Sequence, residues 1–488
     1  MRRTNSKKGH FGHLAMAFRT AALLTILFTG LHLCTAAAQD VQCGDMVQFN
    51  NARIEVQPAG ADDTANIQCA LDEATRLGLP LVKLLAGDFL IGYIRGVGFE
   101  GTLEGSGADS TNVAVDDTLL DCAAQLDAGY ALSAALRFVS GDVTVARMTL
   151  GANNPCVDEG VLGNFTLVHF TGATAAEGCG SNTVHGMLDR ATLVSTVSAS
   201  DQPQFVAGVA ATSVPDCEQP VLGTLKVNRS MFGGLTFAVR PELRGSGQVD
   251  INFNDFVNNY TDVASDNSGQ LMTVQSNSLL KTDEGDFNHI AISVTSTLAD
   301  APRQTRLVVY RNKFEIAQAS DLNLLAFAVG AVSVPPAQTS ISLAVTENEF
   351  SITGGDLTVL SGVFLNGVSG ANIANNTFSG AGGYTVGGLP VAIIGNDTSV
   401  TGNDFSGFLS LPYNVQITEE STGNIVGPGQ GAVVLDQGTG NYVLGAPQAS
   451  SKSAGVPTPL LRSAASELQA RFEQAQERVA RVLEAGAR

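Results

Sequence analysis

The sequence predicts an all-β solenoid, a parallel β-helix with an N-terminal capping helix and a C-terminal amphipathic α-helix. Two observations carry that prediction. The first is a phrase, Asn followed two residues later by Phe or Leu, at Asn254/Phe256, Asn277/Leu279, Asn312/Phe314, Asn348/Phe350, Asn376/Phe378 and Asn403/Phe405. Its apolar members are 23, 35, 36, 28 and 27 residues apart, with Ser230/Phe232 continuing the series upstream and Asn424/Val426 downstream. Such a period marks a repeat whose coils bury their apolar faces only by stacking. The second is that residues 113–446 are short apolar or alternating runs, such as Val143–Val145, Leu307–Tyr310, Ile341–Val345 and Val391–Ile394, punctuated by Gly, Asn, Asp and Ser. An antiparallel sandwich is the competing architecture, but it gives no reason for one phrase to recur.

The elements follow in chain order. Residues 1–38 read as an export signal: Arg2, Arg3, Lys7, Lys8 and Arg19 precede the apolar run Thr20–Leu33 and Ala36-Ala37-Ala38. An uncleaved anchor is the rival reading, and the run, interrupted by His32, is short for it. Residues 39–112 are expected to hold the cap and first coil. There the segment Ala61–Ala74 has a polar start and apolar Ile67, Ala70, Leu71 and Ala74 at helical spacing. Short strands are expected at Leu81–Leu85 and Phe89–Ile94 around a Gly87-Asp88 turn. Residues 113–446 form the β-helix, 447–458 a linker and 459–488 an amphipathic helix. In that helix Leu461, Ala465, Leu468, Phe472, Ala475, Val479 and Val482 make a seam supported by Glu467/Arg471 and Glu477/Arg481, suited to docking on the rod or to self-association.

Within the repeat, stacked coils sit about 4.8 Å apart, so equivalent side chains form ladders. The Asn is expected to occupy a left-handed bend and bond its equivalents through its amide, while the Phe or Leu turns inward.

Composition bounds the function. Without residues 1–38 the chain keeps 22 basic against 46 acidic residues, a net charge of −24. Phosphate binding demands the opposite sign, which argues against a nucleic-acid partner. No later run is apolar enough for stable membrane insertion once the signal is gone. Cys43, Cys69, Cys122, Cys156, Cys179 and Cys217 remain, an even number in an exported chain, so disulfides are expected with the pairing open. The expected location is secreted, periplasmic or cell-surface.

Counting from the inward residues selects one wall. Glu242, Asp266 and His289 lie ten residues after Phe232, Phe256 and Leu279, so coils without compensating insertions would stack them on adjacent rungs. Arg240 and Lys281 join them as catalytic candidates, and Arg244, Asp262, Asp283 and Asp286 as substrate-binding ones. Carboxylates on neighbouring rungs suit an acid/base pair or a bound calcium, and Arg or Lys suits enolate stabilisation or proton transfer. The partner that fits this wall is a polysaccharide, acted on by a lyase or hydrolase; a non-catalytic structural, adhesive or glycan-binding role is the alternative. A solvated charged face relieved by interleaved Arg is the simpler account.

The segment Ala61-Asp62-Asp63-Thr64 to Ala74, the turn Ala86-Gly87-Asp88-Phe89 and Gly101–Gly107 resemble the N-terminal cap and first coil of pectate-lyase-like right-handed parallel β-helix proteins. The resemblance covers residues 60–430 and implies handedness and fold, while that superfamily spans lyases, hydrolases, epimerases, tailspikes and adhesins. Val239-Arg240-Pro241-Glu242-Leu243-Arg244 is similar to the Arg-x-Pro-x-x-Arg pattern of pectate lyases but has Val239 at its first position. A polygalacturonase-like set is also incomplete, because Asp62-Asp63 and Asp116-Asp117 fall out of order and His289 lacks flanking glycines. His169 and His185, single among apolar neighbours, read as core or surface residues.

Overall fold

The computed structural model describes residues 43–444, apart from residues 51, 131, 154–155, 157–164, 180–182, 198–205, 213, 215–216, 218–222, 244–246, 267–269, 283–288, 297–303, 319–324, 334–339, 355–358, 382–388 and 410–412, together with Arg478. The expected export signal and almost all of the expected C-terminal helix therefore lie outside the described residues. Arg478 itself is helical, and its guanidinium bonds Asp109 at 3.0 Å.

The described chain is a right-handed parallel β-helix. Sheet 1 has 15 strands from Val47–Asn50 to Tyr442–Val443, sheet 2 has 11 from Gly87–Ile91 to Asp404–Leu409, and sheet 3 has 12 from Ile94–Val97 to Val434–Asp436. Successive coils pair in parallel, and among the described residues only the first hairpin, Val47–Asn50 on Arg53–Val56, is antiparallel. Helix α1, Thr64–Leu77, packs on strands Arg53–Val56 and Ile94–Val97 and buries Ile67, Ala70, Leu71 and Ala74, the positions its sequence period selects.

From the coil of Asn254 to that of Asn403, the chain turns between sheets 1 and 2 in two residues. The second is the ladder Asn. Its Nδ2 donates to the Oδ1 of the Asn one coil on, from Asn254 through Asn277, Asn312, Asn348 and Asn376 to Asn403, at 2.9–3.1 Å. The same Oδ1 also accepts the backbone N–H of the preceding Asn, and the other Nδ2 hydrogen bonds a carbonyl one coil back. Every polar atom of these buried amides is thereby satisfied. Two residues on, the inward aromatic rings stack: Phe232 on Phe256 at 5.1 Å, Phe314 on Phe350 at 4.7 Å, Phe350 on Phe378 at 4.6 Å and Phe378 on Phe405 at 5.0 Å.

Two details of the phrase are corrected. The left-handed residue is the one before the Asn, at Arg229 (φ 50), Phe253 (φ 59), Ser276 (φ 55), Arg311 (φ 53), Glu347 (φ 56), Asn375 (φ 57) and Gly402 (φ 65). The Asn must aim its amide inward along the stack, so the bend is completed by the outward-facing residue ahead of it. Asn424/Val426 belongs to another corner, since Val426 pairs with Val400 in sheet 1 and Asn424 bonds Thr398 and Asn441.

The six cysteines pair as Cys43–Cys69, Cys122–Cys156 and Cys179–Cys217. Among the described residues no helix is long and apolar enough to cross a membrane.

Candidate functional site on sheet 3 and the polar cluster behind it

Strand Phe237–Glu242 of sheet 3 directs Val239 and Pro241 inward and leaves Arg240 and Glu242 facing out. The two outward side chains form an ion pair, Arg240 Nε to Glu242 Oε1 at 2.6 Å, with side-chain exposures of 19% and 23%. Phe237 and Val239 pair with Thr261 and Val263 on the next coil, and that offset, if continued to the strand ends, would align Glu242 with Asp266.

His289 does not join that column. The offset between the next two coils is 23 at Phe256–Leu279 but 29 at Thr261–Ile290, so Asp266 pairs with Thr295. The extra residues enter between Lys281 and His289, around the polar, Gly-containing run Thr282–Asp286. That run is the sequence signal for an insertion which breaks the ten-residue count.

Asp262, Lys281 and His289 lie in the interior and expose no surface. Asp262 falls, in register, between core residues Ala238 and Ala291. Lys281 follows the core Leu279 by two and pairs with the core Ile316. Asn259 organises the cluster: its Nδ2 donates to Asp262 Oδ1 at 2.9 Å, its carbonyl accepts from His289 Nδ1 at 2.8 Å, and its Oδ1 accepts the Leu235 N–H at 3.0 Å. His289 Nε2 and Asp262 Oδ2 stand 3.7 Å apart, and neither has another hydrogen-bond partner.

Burial pushes the Asp262 carboxyl well above the ordinary carboxylate range, opposed by the Asn259 bond and the Lys281 charge. Burial also pushes His289 down to about 4, against the raising effect of its bond to Asn259. Both shifts favour the uncharged forms, so the 3.7 Å contact is not an ion pair of the kind its residue types suggest. Arg244, Asp283 and Asp286 lie outside the described residues. Among the described residues no three His, Cys, Asp or Glu side chains gather as a metal site.

A second arrangement on the outer face of sheet 3 had no sequence ruler, because the Asn-x-Phe phrase is missing from the N-terminal half. Arg95, Arg137, His169, Ala210 and Arg240 occupy one column on five successive coils. Arg95 pairs with Glu177, which also accepts from the Tyr130 hydroxyl at 2.9 Å. Arg137 and His169 are buried, the first with its guanidinium 3.5 Å from the Tyr130 ring centroid.

No family model matches the chain, and no curated protein does. Solved structures that share its general course include the Dettilon tailspike protein, with 14% identity, a TM-score of 0.44, and 80% of this chain and 68% of that one covered. Another is the A-module of an Azotobacter vinelandii mannuronan C-5 epimerase, at 10% identity and TM-score 0.35, covering 80% and 98% of the two chains. A third is an exopolygalacturonase from Thermotoga maritima, at 11% and 0.31, covering 82% and 93%. Likeness at this level assigns no activity to this chain.

Proposed function

We propose that this is an exported β-helix protein that contacts polysaccharide along the outer face of sheet 3. The observation that carries the reading is the half-buried Arg240–Glu242 pair, facing outward beside the register position of Asp266. A flat parallel sheet offers an extended polymer one polar position per rung, about 4.8 Å apart. The disulfides and the N-terminal signal pattern support export.

Binding is favoured over chemistry. Asp262, Lys281 and His289 are sealed from solvent, which leaves Arg240 and Glu242 as described candidates on the outer face, with Asp266 proposed beside them from its register. A lyase or hydrolase would use Glu242 and Asp266 as its acid/base pair with Arg240 stabilising developing charge. The strong net negative charge opposes a bare uronate polymer, so an acidic glycan would bind through calcium held by the two carboxylates.

The test is affinity electrophoresis of the purified protein on neutral and uronate polymers with and without calcium, with absorbance of unsaturated product followed in parallel. Retardation that disappears in the Arg240→Ala/Glu242→Gln double variant is the expected result. Retardation by no polymer would overturn the reading, and product formation would move it from binder to lyase.

A further inference from the structure

Among the described residues no carboxylate is paired with Arg137, a buried cation. Its Nη2 donates to Gln125 Oε1 at 2.8 Å and to the Leu132 carbonyl at 2.6 Å, while Nε and Nη1 have no hydrogen-bond partner among the described residues. Glu177 is engaged by the neighbouring Arg95 and by Tyr130. The rings of Tyr130 and Tyr93, with centroids 3.5 and 5.6 Å from the guanidinium, give it a polarisable wall but no counter-charge. An unpaired buried charge is among the costliest features a fold can carry, and is ordinarily matched by an opposite one.

One rung on, in register, stands His169, also fully buried. Its Nε2 is 2.8 Å from the Thr212 hydroxyl, and its Nδ1 has no partner. Burial and the neighbouring Arg137 and Arg240 charges hold this imidazole well below its usual range, so it is neutral; the Thr212 contact fits either tautomer, and in the one where Nε2 accepts from the hydroxyl the proton sits on Nδ1. The following position in the column is Ala210, also buried. The cover over this row includes Gln125 on helix α2, Cys122–Asp127, which the Cys122–Cys156 disulfide anchors.

We propose that Arg137 and His169 form an enclosed oxyanion site, taking a carboxylate- or sulfate-sized group on Arg137 Nε–H and Nη1–H and on His169 Nδ1–H. The group comes either from a free small anion or from an acidic sugar admitted when the cover opens. This site is separate from the Arg240–Glu242 face and does not depend on the polysaccharide reading.

Thermal unfolding and isothermal titration of the oxidised full chain with sodium sulfate, sodium acetate and a uronate trisaccharide, at ionic strength held with sodium chloride, test it. Saturable binding of sulfate or acetate identifies a free-anion site, and binding of the trisaccharide alone identifies a sugar carboxylate site. Arg137→Met, which keeps an apolar stem between the tyrosines, should abolish saturation. His169→Gln, which retains a partner for Thr212 but loses the Nδ1 donor, should weaken binding by about tenfold or more. No saturable binding of any of the three to the wild type overturns the site. So does an equal sulfate effect in wild type and His169→Gln, which would mark a general salt effect or a bound water alone, and this arm stands even if Arg137→Met fails to fold.

Discussion

His289 Nε2 faces Asp262 Oδ2 across 3.7 Å inside the coil stack, with Asn259 bonded to both residues. Three polar side chains that sequence counting assigns to a solvent-facing wall, Asp262, Lys281 and His289, thus belong to the interior, where they affect stability rather than contact a ligand.

The first expectation concerns pH. An unfolded imidazole takes its proton near 6.5 and the folded His289 only near 4, so the unfolded state binds more protons in that window and stability falls as pH drops through it, by about 3 kcal/mol. Asp262 is shifted the other way, and its contribution is present in acid and lost as pH rises through its elevated pKa, which offsets part of the slope. His289→Asn keeps a donor for the Asn259 carbonyl and removes the titration. Urea unfolding at pH 7 and 4.5 should show a smaller stability difference in this variant; an unchanged difference would refute the assignment.

Lys281 is the one basic side chain whose charge lowers the pKa of Asp262. Lys281→Met should cost about 1–3 kcal/mol by removing the charge that opposes the upward shift of the buried Asp262 carboxyl. Adding Asp262→Asn should recover a large part of that loss, giving a coupling energy above about 1 kcal/mol in a double-mutant cycle. Additive losses would mean the two residues act independently.

Asn312 donates to Asn348 and Val274 and accepts from the backbone and side chain of Asn277. Asn312→Ala strands the backbone and side-chain donors of Asn277 and takes a donor from the Val274 carbonyl and from Asn348 Oδ1, and a loss of about 2–4 kcal/mol is expected from the lowered urea midpoint. A loss below about 0.5 kcal/mol would mean that water replaces the ladder at no cost.

Phe253 combines φ 59 with a large exposed side chain, an unfavourable pairing for a bulky residue. Phe253→Asn should raise stability by up to about 1 kcal/mol, because Asn enters the left-handed region readily. Destabilisation in calorimetry would show that the exposed ring makes contacts worth more than the strain.

The periodic features were legible in the sequence. Asn-x-Phe spacing identified the coils because the two-residue bend between sheets 1 and 2 tolerates no insertion, and the helix at Thr64–Leu77 was legible because its core face repeats at helical spacing. The site was less legible. Glu242 and Asp266 align only by continuing the offset of Phe237–Thr261 and Val239–Val263, whereas His289 is displaced by an insertion that the apolar ruler, set on the other side of the bend, does not sense. The Arg95–Arg137–His169–Arg240 column escaped notice altogether, for these residues are spaced by loops of unequal length.

The sequence by itself determined the β-helix, its inward aromatic stack, its amide ladder and the oxidised state of its cysteines, since each depends on residue type repeated at a near-fixed distance. Tertiary structure alone decided which cysteines pair, which polar residues face solvent and which are enclosed. Side-chain direction in a strand reverses with every residue, so one inserted or bulged position moves a charge from the surface to the core without changing the composition of the chain.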